Sequence, residues 1–231
     1  MFRDIGSWIR SFQQDPLRTL TEIAFMIAAL LLSLILHEMG HAVAALKCGD
    51  PTAKWMGRIT LDPRKHLDPI GMVCMFFLGI GWAKPVPINP NNFRNRNRDM
   101  ILVSFAGIFV NLILFLISTF LYVLCYRGNG TVIIYLQEFL MILLSYNISL
   151  AVFNLVPVPP LDGYRIVNQV FFKGSLDRNM NAQTMQIIHL AFLFVCLSGI
   201  LSNSFHKICN FFMLNTANLF ANILNLGFKF V

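Results

Sequence analysis

The chain has 231 residues, of which 56% are apolar and 13% are charged, and its formal net charge is +7. Soluble domains carry roughly 25% charged residues, so this composition excludes a soluble enzyme, a disordered segment and a disulfide scaffold. Long uncharged runs instead predict an all-α polytopic membrane protein, because a transmembrane β-barrel would show short alternating segments. Lys and Arg lie between these runs, where basic residues set membrane orientation, so the charge does not indicate nucleic-acid binding.

An amphipathic segment precedes the apolar runs. Residues 1–20 alternate apolar and polar positions, which predicts a short helix on the membrane surface. Residues 21–183 are predicted to form the core of a helical bundle, since each apolar run within them reaches the roughly 20 residues that a spanning helix needs. The predicted spans are 23–46, 100–126 and 131–156.

The chain after this core, residues 184–231, predicts one further span and a terminal helix. Residues 184–205 carry a single ionisable residue, His189, and are long enough to cross a bilayer. Residues 208–228 lack charge, and asparagines at intervals of three or four residues place four amides on one helical face. This pattern is typical of an interfacial helix or of a helix that faces the bundle, and we favour the interfacial alternative.

The most specific motif is His37-Glu38-Met39-Gly40-His41, near the end of the first predicted span. On a helix, residues four apart share a face, so both imidazoles can bind one metal ion. Glu38 lies about 100° round the helix from His37 and can reach a metal-bound water as a general base. Three ionisable groups inside a membrane helix are costly, which favours a functional site over the alternative, a fortuitous polar patch satisfied by neighbouring helices.

Two histidines leave a zinc ion one protein ligand short, because catalytic zinc takes three protein ligands and a water. Asp162 is the best candidate for the third ligand. It follows prolines 157, 159 and 160, which interrupt the helix and leave carbonyls unpaired; a membrane tolerates this only around a protein-lined or wet cavity. The alternative is that Asp162 caps a helix at the membrane surface.

The combination of HEMGH in an apolar helix with NLVPVPPLDG at 154–163 resembles the site-2 protease family of intramembrane zinc metalloproteases. The closest likeness is to the compact prokaryotic form without a PDZ domain. The resemblance covers roughly residues 20–170 and includes HLDPIG at 66–71 and GWAKPVPINP at 81–90.

This resemblance implies a cofactor, Zn²⁺, and a role for each motif residue. The family's catalytic base and three zinc ligands match, in this order, Glu38, His37, His41 and Asp162. One departure is Ile108, which stands where the family usually has proline and affects only the expected local helix shape. Ser104, Gly107 and Asn111 still share one helical face, which favours close packing near the site. Asn111 either packs there or gives the site polar support.

The candidate ligands constrain the topology. His37 and His41 lie at the C-terminal end of the first span, and Asp162 follows the C-terminal end of the third, so one zinc ion joins them only if both ends face the same side. A single span then runs back between them, and residues 70–83 are too short to cross. The loops on the site's side hold twelve of the 18 Lys and Arg residues. This bias predicts a multi-pass protein of the cell membrane with its active site towards the cytoplasmic face.

The loop over residues 52–97 is predicted to contain short β-strands at the cytoplasmic mouth of the site. Within it, the candidate substrate-binding residues Val86, Pro87 and Ile88 are predicted to form an edge strand that pairs with an unwound substrate. The alternative for this stretch is an ordinary proline-rich linker. Asn154, a further substrate-binding candidate, either holds substrate backbone or caps its own helix.

Three more ionisable residues lie outside these motifs. His66 is predicted at the cytoplasmic surface in a structural or regulatory role, and it is not needed as a ligand. His189 and Glu138 are predicted to face the bundle, with a pair between them as one arrangement.

Together these features predict an intramembrane zinc metalloprotease. It would hydrolyse a peptide bond in or near the transmembrane segment of a protein or peptide in the lipid bilayer, with a zinc-activated water and Glu38 as general base. The chain is too short for an added peptide-binding domain, so substrate selection falls to the core, a regulatory membrane partner or prior cleavage. The alternatives are a non-catalytic zinc-binding membrane scaffold and, less favoured, a zinc or proton transporter, which would need ionisable residues spread through several spans.

Overall fold

The computed structural model describes residues 5–68, 71, 84–227, 229 and 230. Helix accounts for 76% of this structure, which confirms the predicted all-α class. The elements in chain order are α1 (Ile5–Gln14), α2 (Pro16–Lys47), α3 (Thr52–Trp55), α4 (Pro63–His66), a 3₁₀ turn (Pro90–Asn92), α5 (Arg96–Cys125), α6 (Thr131–Asn154), α7 (Asp162–Phe172), α8 (Ser175–Asn179), α9 (Ala182–Leu197) and α10 (Ser202–Ile223).

Three helices, α2, α5 and α6, are long and apolar enough to cross a membrane, as the apolar runs predicted. α2 nevertheless begins at Pro16, ahead of its apolar run, because the Asp15 side chain accepts a hydrogen bond from the Arg18 amide at 3.0 Å and caps the helix. Asn95 caps α5 in the same way, accepting from the Arg98 amide at 3.2 Å. The apolar runs therefore mark the part of each helix that can lie in the hydrocarbon core, and α2 and α5 begin before that part.

α5 runs antiparallel to α2. Val103, near the start of α5, contacts His41, and Asn111, two turns later on α5, contacts His37, which precedes His41 on α2. The start of α5 and the end of α2 therefore lie at the same end of the bundle.

α6 runs parallel to α2. The Asn147 side-chain amide donates to the Ser33 hydroxyl at 2.9 Å, and both residues are fully buried. Beyond the C-terminal end of α6, Asp162 contacts His37 and His41 near the C-terminal end of α2. The C-terminal ends of α2 and α6 thus meet at one end, as the predicted topology requires.

The segment between α2 and α5 begins and ends at that same end of the bundle. The Arg94 amide donates to the Cys48 carbonyl at 3.1 Å and closes the segment at its base. The connection from α2 to α5 therefore makes no net crossing of the bundle. Residues 70–83, predicted not to span, lie outside the described residues except for Gly71.

The predicted short strands in the loop over 52–97 are not found in its described part, which contains no β-strand. The stretch Val86–Ile88 has no regular secondary structure and pairs with no other described segment. Prolines 85, 87 and 90 have no amide hydrogen to give to a ladder. The Asn89 amide is also occupied, since it donates to the Asp50 carboxylate at 2.7 Å. Side chains, and not a neighbouring strand, accept from the Val86 and Asn89 amides.

The further span predicted over 184–205 is divided in the structure. α9 ends at Leu197, and Gly199 adopts a left-handed φ of +73°, a conformation that suits glycine. α10 begins again at Ser202. The apolar composition is continuous here, but the helix is not.

α10 packs against α5 and α6. Its buried residues are small: Cys209, Ala217 and Ala221. Asn215 and Asn222, two of the asparagines predicted to share a polar face, are exposed. Small side chains, and not the amides, face the bundle, which allows close helix approach.

Candidate metal centre

His37, His41 and Asp162 converge at one point between α2 and the start of α7. The Nε2 atoms of the two histidines are 3.0 Å apart, and Asp162 Oδ2 lies 3.3 Å from His37 Nε2 and 3.2 Å from His41 Nε2. All three side chains are buried. Among the residues that the structure describes, this is the one group of three such side chains close enough to hold a metal ion.

The spacing and the donor set fit zinc. Tetrahedral zinc with bonds near 2.0–2.1 Å separates its ligand atoms by roughly 3.3 Å, close to the three distances found here. Asp162 Oδ2 is buried and makes no hydrogen bond within the described part of the chain, which leaves a carboxylate oxygen free for a cation. Two imidazoles and one carboxylate, with a fourth position for water, are a typical set for catalytic zinc.

Two residues of α5 orient the imidazoles. The Val103 carbonyl lies 2.7 Å from His41 Nδ1, and because a carbonyl only accepts, Nδ1 carries the hydrogen and Nε2 presents its lone pair to the site. The fully buried Asn111 amide lies 3.1 Å from His37 Nδ1, and its carbonyl oxygen has no partner among the described residues. With the amide turned so that this oxygen accepts from Nδ1–H, the oxygen gains a partner and His37 Nε2 is free for the metal. The contact favours polar support as the role of Asn111.

Glycines allow α2 and α5 to approach closely at this point. A β-carbon on Gly107 would lie 2.6 Å from His37 Cε1 and 2.7 Å from His37 Nε2, and closer still to His41 Nε2. A β-carbon on Gly40 would lie 3.0 Å from the Ala106 carbonyl oxygen. The predicted close packing of the Gly107 face near the site is confirmed.

Asp162 is placed by the turn that follows α6. It is the first residue of α7, whose N-cap is Leu161, and that cap has no side-chain hydrogen bond. The Asp162 carboxylate therefore faces the histidines and does not cap the helix. A β-carbon on Gly163 would lie 2.5 Å from the Leu155 carbonyl carbon and 2.7 Å from the Val156 carbonyl oxygen, so only glycine lets the chain return this tightly.

Glu38 lies beside the ligands and is held by a residue of the loop. Its Oε2 accepts a hydrogen bond from the Val86 amide at 2.9 Å, while Oε1 makes no hydrogen bond within the described residues. Arg58 is close enough for its charge to interact with that of Glu38: burial lowers the pKa of the Arg58 guanidinium, and the Glu38 charge acts in the opposite direction. Glu38 Oε2 is thus held by the Val86 amide, and Oε1 is free to accept a proton.

The substrate-binding candidates lie in two places. Val86 and Ile88 line a cleft of about 190 Å³ whose other wall includes Arg165 and Gln169 of α7. Asn154 donates its side-chain amide to the Leu150 carbonyl at 3.0 Å, a bond within its own helix. The structure thus places Val86–Ile88 beside the site, whereas the Asn154 amide is used locally.

The remaining ionisable residues differ from the predictions. His66 is fully buried and not at the surface, with Nε2 2.8 Å from the Thr60 carbonyl. Glu138 does not pair with His189: it accepts from the Arg18 guanidinium at 3.0 Å. His189 is exposed on α9 and does not face the bundle.

Two participants in the site were missed from the sequence. The Val103 carbonyl is a backbone group on an apolar residue, so no side-chain pattern indicates it. Arg58 lies in an irregular loop, where a cation is ordinarily solvent-exposed, yet it is only 5% exposed. Its burial depends on contacts with residues 26 and 20 positions away along the chain, which no local pattern predicts.

Comparison with known proteins identifies relatives that are named as zinc metalloproteases. A family model described as peptidase family M50 matches residues 124–199. YwhC of Bacillus subtilis, named as a candidate zinc metalloprotease, is 39% identical over 184 residues, 78% of this chain and 84% of that protein. Rip2 of Mycobacterium tuberculosis, named in the same way, is 33% identical over 163 residues, which are 68% of this chain and 61% of Rip2. No solved structure matches the chain.

Proposed function

The chain belongs to peptidase family M50, the site-2 protease family of intramembrane zinc metalloproteases, and we propose that Glu38 is its general base and that His37, His41 and Asp162 are its zinc ligands. The protein is a membrane zinc metalloprotease that acts on membrane-protein substrates within the bilayer. The observation that carries the residue assignment is the convergence of three ligand atoms, 3.0 to 3.3 Å apart, beside Glu38.

Each residue has a defined task in this proposal. Zinc, when bound, supplies a Lewis acid that polarises the scissile carbonyl and makes water more acidic. Glu38 takes the proton of the attacking water and passes it to the leaving amine. Because the Val86 amide holds Oε2, the carboxylate keeps a fixed direction and the free Oε1 receives the proton. Val103 and Asn111 hold the two imidazole rings in place.

The substrate is proposed to enter as an unwound strand along Val86, Pro87 and Ile88. A membrane helix hides its peptide bonds, so it must open locally before it is cut, and its freed backbone groups then need partners. Prolines 85 and 87 lack amide hydrogens, and the Val86 amide is already bound to Glu38. The carbonyl groups of this stretch and the Ile88 amide are therefore the proposed partners, in the cleft against α7. Asn154 joins them only if its bond to Leu150 is exchanged.

We place the active site towards the cytoplasmic face. The support is the distribution of basic residues, twelve of 18 of which lie in the loops at the site's end of the bundle. A regulatory membrane partner is compatible with this arrangement, because the cleft opens among loops at that end.

The test measures zinc content and cleavage of a single-pass membrane substrate by the purified protein in proteoliposomes. Glu38→Gln is expected to keep zinc and lose cleavage by about 10²- to 10⁴-fold, whereas His37→Ala and Asp162→Ala lose both. Glu22→Gln is the matched control, since it makes the same change on α2 away from the site, and both properties are retained. Cleavage that persists in Glu38→Gln contradicts the mechanism, and zinc binding without cleavage by the wild type favours the scaffold alternative.

A further inference from the structure

A buried arginine connects the loop to the catalytic carboxylate. Arg58 is 5% exposed, and its guanidinium donates to the Lys84 carbonyl at 2.5 Å. Among the described residues it forms no ion pair, and its Nε has no hydrogen-bond partner. Burying an unpaired cation costs several kcal/mol, so a loop-fastening role alone does not explain why this residue is charged. The anion whose field acts on it is Glu38.

Arg58 donates to Lys84, which lies two residues before Val86, the residue whose amide donates to Glu38. We call Lys84–Asn92 the proline segment. At its start, the Lys84 amide donates to the His66 carbonyl at 2.8 Å, while the Lys84 carbonyl accepts from Arg58. Two residues later, the Val86 amide donates to Glu38 Oε2. A shift at Lys84 therefore moves the amide that orients the catalytic base.

The chemistry of the proline segment makes this coupling stiff. Pro85 lies between the Lys84 carbonyl, which accepts from Arg58, and the Val86 amide, which donates to Glu38, and its ring fixes φ near −65°, which removes one of the two soft torsions between these groups. The far end is fixed separately by Asp50, whose carboxylate accepts from the Asn89 amide. Arg58 therefore restrains the start of the proline segment, which contains Val86.

We propose that Arg58 is a positioning residue for Glu38: through Lys84 and the Val86 amide, and through its own positive charge, it holds the carboxylate in the direction that proton transfer needs. This inference rests on the proposed function, because it assumes that Glu38 is the base. It assigns Arg58 an effect on the rate of the chemical step and not on metal binding.

The first test separates positioning from general loop stability. Arg58→Met keeps length and burial but removes the charge and the donors, and we expect kcat to fall on the order of 10- to 100-fold with zinc content unchanged and KM within about threefold. Arg58→Lys, which keeps a charge and a donor, is expected to recover at least a third of the wild-type kcat. Arg64→Met is the matched control in the same loop, because the Arg64 side chain is 92% exposed and its ion pair with Asp62 is on the surface; its kcat is expected to match the wild type.

A second test uses hydrogen exchange and does not depend on activity. Prolines 85 and 87 leave only the Val86, Ile88 and Asn89 amides after Lys84 in a peptide covering residues 84–89. Of these three, the Val86 and Asn89 amides are hydrogen-bonded, so slow exchange of the peptide reports on them. Arg58→Met is expected to accelerate the Val86 amide about tenfold and leave Asn89 unchanged. In Val86→Pro, which has no such amide, adding Arg58→Met is expected to lower kcat by a smaller factor than it does in the wild-type background, because the restraint through Val86 is already lost and only the effect of the charge remains.

The outcomes separate the two levels of the proposal. Glu38-dependent cleavage with a wild-type kcat in Arg58→Met overturns the inference and leaves the proposed function standing. Equal loss of zinc and activity in Arg58→Met and Arg58→Lys also overturns it, since that is the result of a purely structural role. Absence of Glu38-dependent cleavage in the wild type overturns the proposed function itself, and unchanged Val86 exchange in Arg58→Met then rejects the coupling on its own.

Discussion

Gly107 lies beneath the imidazole rings of the candidate metal centre, on the face of α5 that touches α2. The rings occupy the space in which any β-carbon would stand, so the 3.0 Å approach of the two Nε2 atoms depends on the absence of a side chain there. A close-packed interior leaves no route by which the rings could yield without moving α2.

Gly107→Ala is therefore expected to damage both stability and metal binding. We expect the free energy of unfolding to fall by about 1–3 kcal/mol through overpacking, and zinc affinity to fall with it because the ligand atoms are pushed apart. Gly130→Ala is the control, since a β-carbon there meets nothing within 4 Å. Thermal unfolding in detergent and zinc titration provide the measurements; a Gly107→Ala protein with wild-type zinc affinity would reject this packing account.

Asn111 gives a second prediction at the residue scale. If its carbonyl oxygen accepts from His37 Nδ1–H, Asn111→Leu removes the acceptor and weakens zinc binding by about 10- to 100-fold. Asn111→Asp retains an acceptor and is expected to bind zinc more tightly than Asn111→Leu. Competition with a zinc chelator measures both, with the exposed Asn215→Leu as a control. The same affinity in the Leu and Asp variants would show that Asn111 serves packing alone.

Asp50 fixes the C-terminal end of the proline segment, the stretch of the loop that contacts Glu38. Asp50 is fully buried and accepts from the amides of Thr52 and Asn89 and from the Asn92 side chain at 2.8 Å. Burial raises the pKa of this carboxyl, but the hydrogen bonds from Thr52, Asn92 and Asn89 outweigh burial and hold the pKa below its usual value. The ionised form is thus the one that the fold stabilises.

A pH dependence follows from that direction. A carboxyl whose pKa is lower in the folded state contributes its full stability above the unfolded pKa, near 3.9, and loses it as pH falls through the folded pKa. Asp50→Asn is expected to lower the free energy of unfolding by about 2 kcal/mol at pH 7, and this difference should shrink below about pH 4. Thermal unfolding of both proteins between pH 3 and pH 7 checks the sign. A difference that grows on acidification would contradict it.

At the scale of elements, the sequence predicts what apolar length and motif spacing control. The spans containing Ile35, Phe115 and Leu144 follow from uninterrupted apolar runs, and the pairing of His37 with His41 follows from helical periodicity. The break at Gly199 was not predicted, because its φ of +73° is a backbone property that leaves the apolar composition unchanged. Local sequence therefore predicts where a helix forms, but it predicts only in part where that helix ends.

The loop was predicted less well for a different reason. Val86 was expected in an edge strand, yet the described part of the loop contains no strand and the Val86 amide binds Glu38, 48 residues earlier in the chain. His66 was expected at the surface but is enclosed. An irregular loop has no repeating period, and the partners of its polar groups are decided by tertiary contacts with distant segments. The candidate zinc ligands could be assigned from sequence because chemistry restricts their residue types, while Arg58 carries no such restriction.

For the whole molecule, the meeting of the ends of α2 and α6 gives the sidedness of the described loops relative to the site. The bias of basic residues then predicts the orientation in the membrane that we propose. Arg64, which is 92% exposed, lies in the site's loops. Val132, 80% exposed, lies at the opposite end, at the start of α6. These two positions are suited to a direct test.

We expect Arg64→Cys to react with a membrane-impermeant maleimide only in inside-out vesicles, and Val132→Cys only in right-side-out vesicles. Peptide-level mass spectrometry identifies the labelled position, so the five native cysteines do not interfere. The reverse pattern would place the active site on the outer face. Labelling of both positions from one side would contradict an odd number of crossings between them.

If Glu38 is the general base, proteolysis within the membrane requires its carboxylate, and a comparison in cells detects this requirement. Membrane-protein fragments are compared between cells that produce the wild type and cells that produce Glu38→Gln, with zinc content measured in both purified proteins. We expect a single-pass protein to accumulate uncut in the mutant and to be cut within its apolar span in the wild type, with zinc present in both proteins. Appearance of the same fragment, cut at the same site, in cells that produce Glu38→Gln would contradict it.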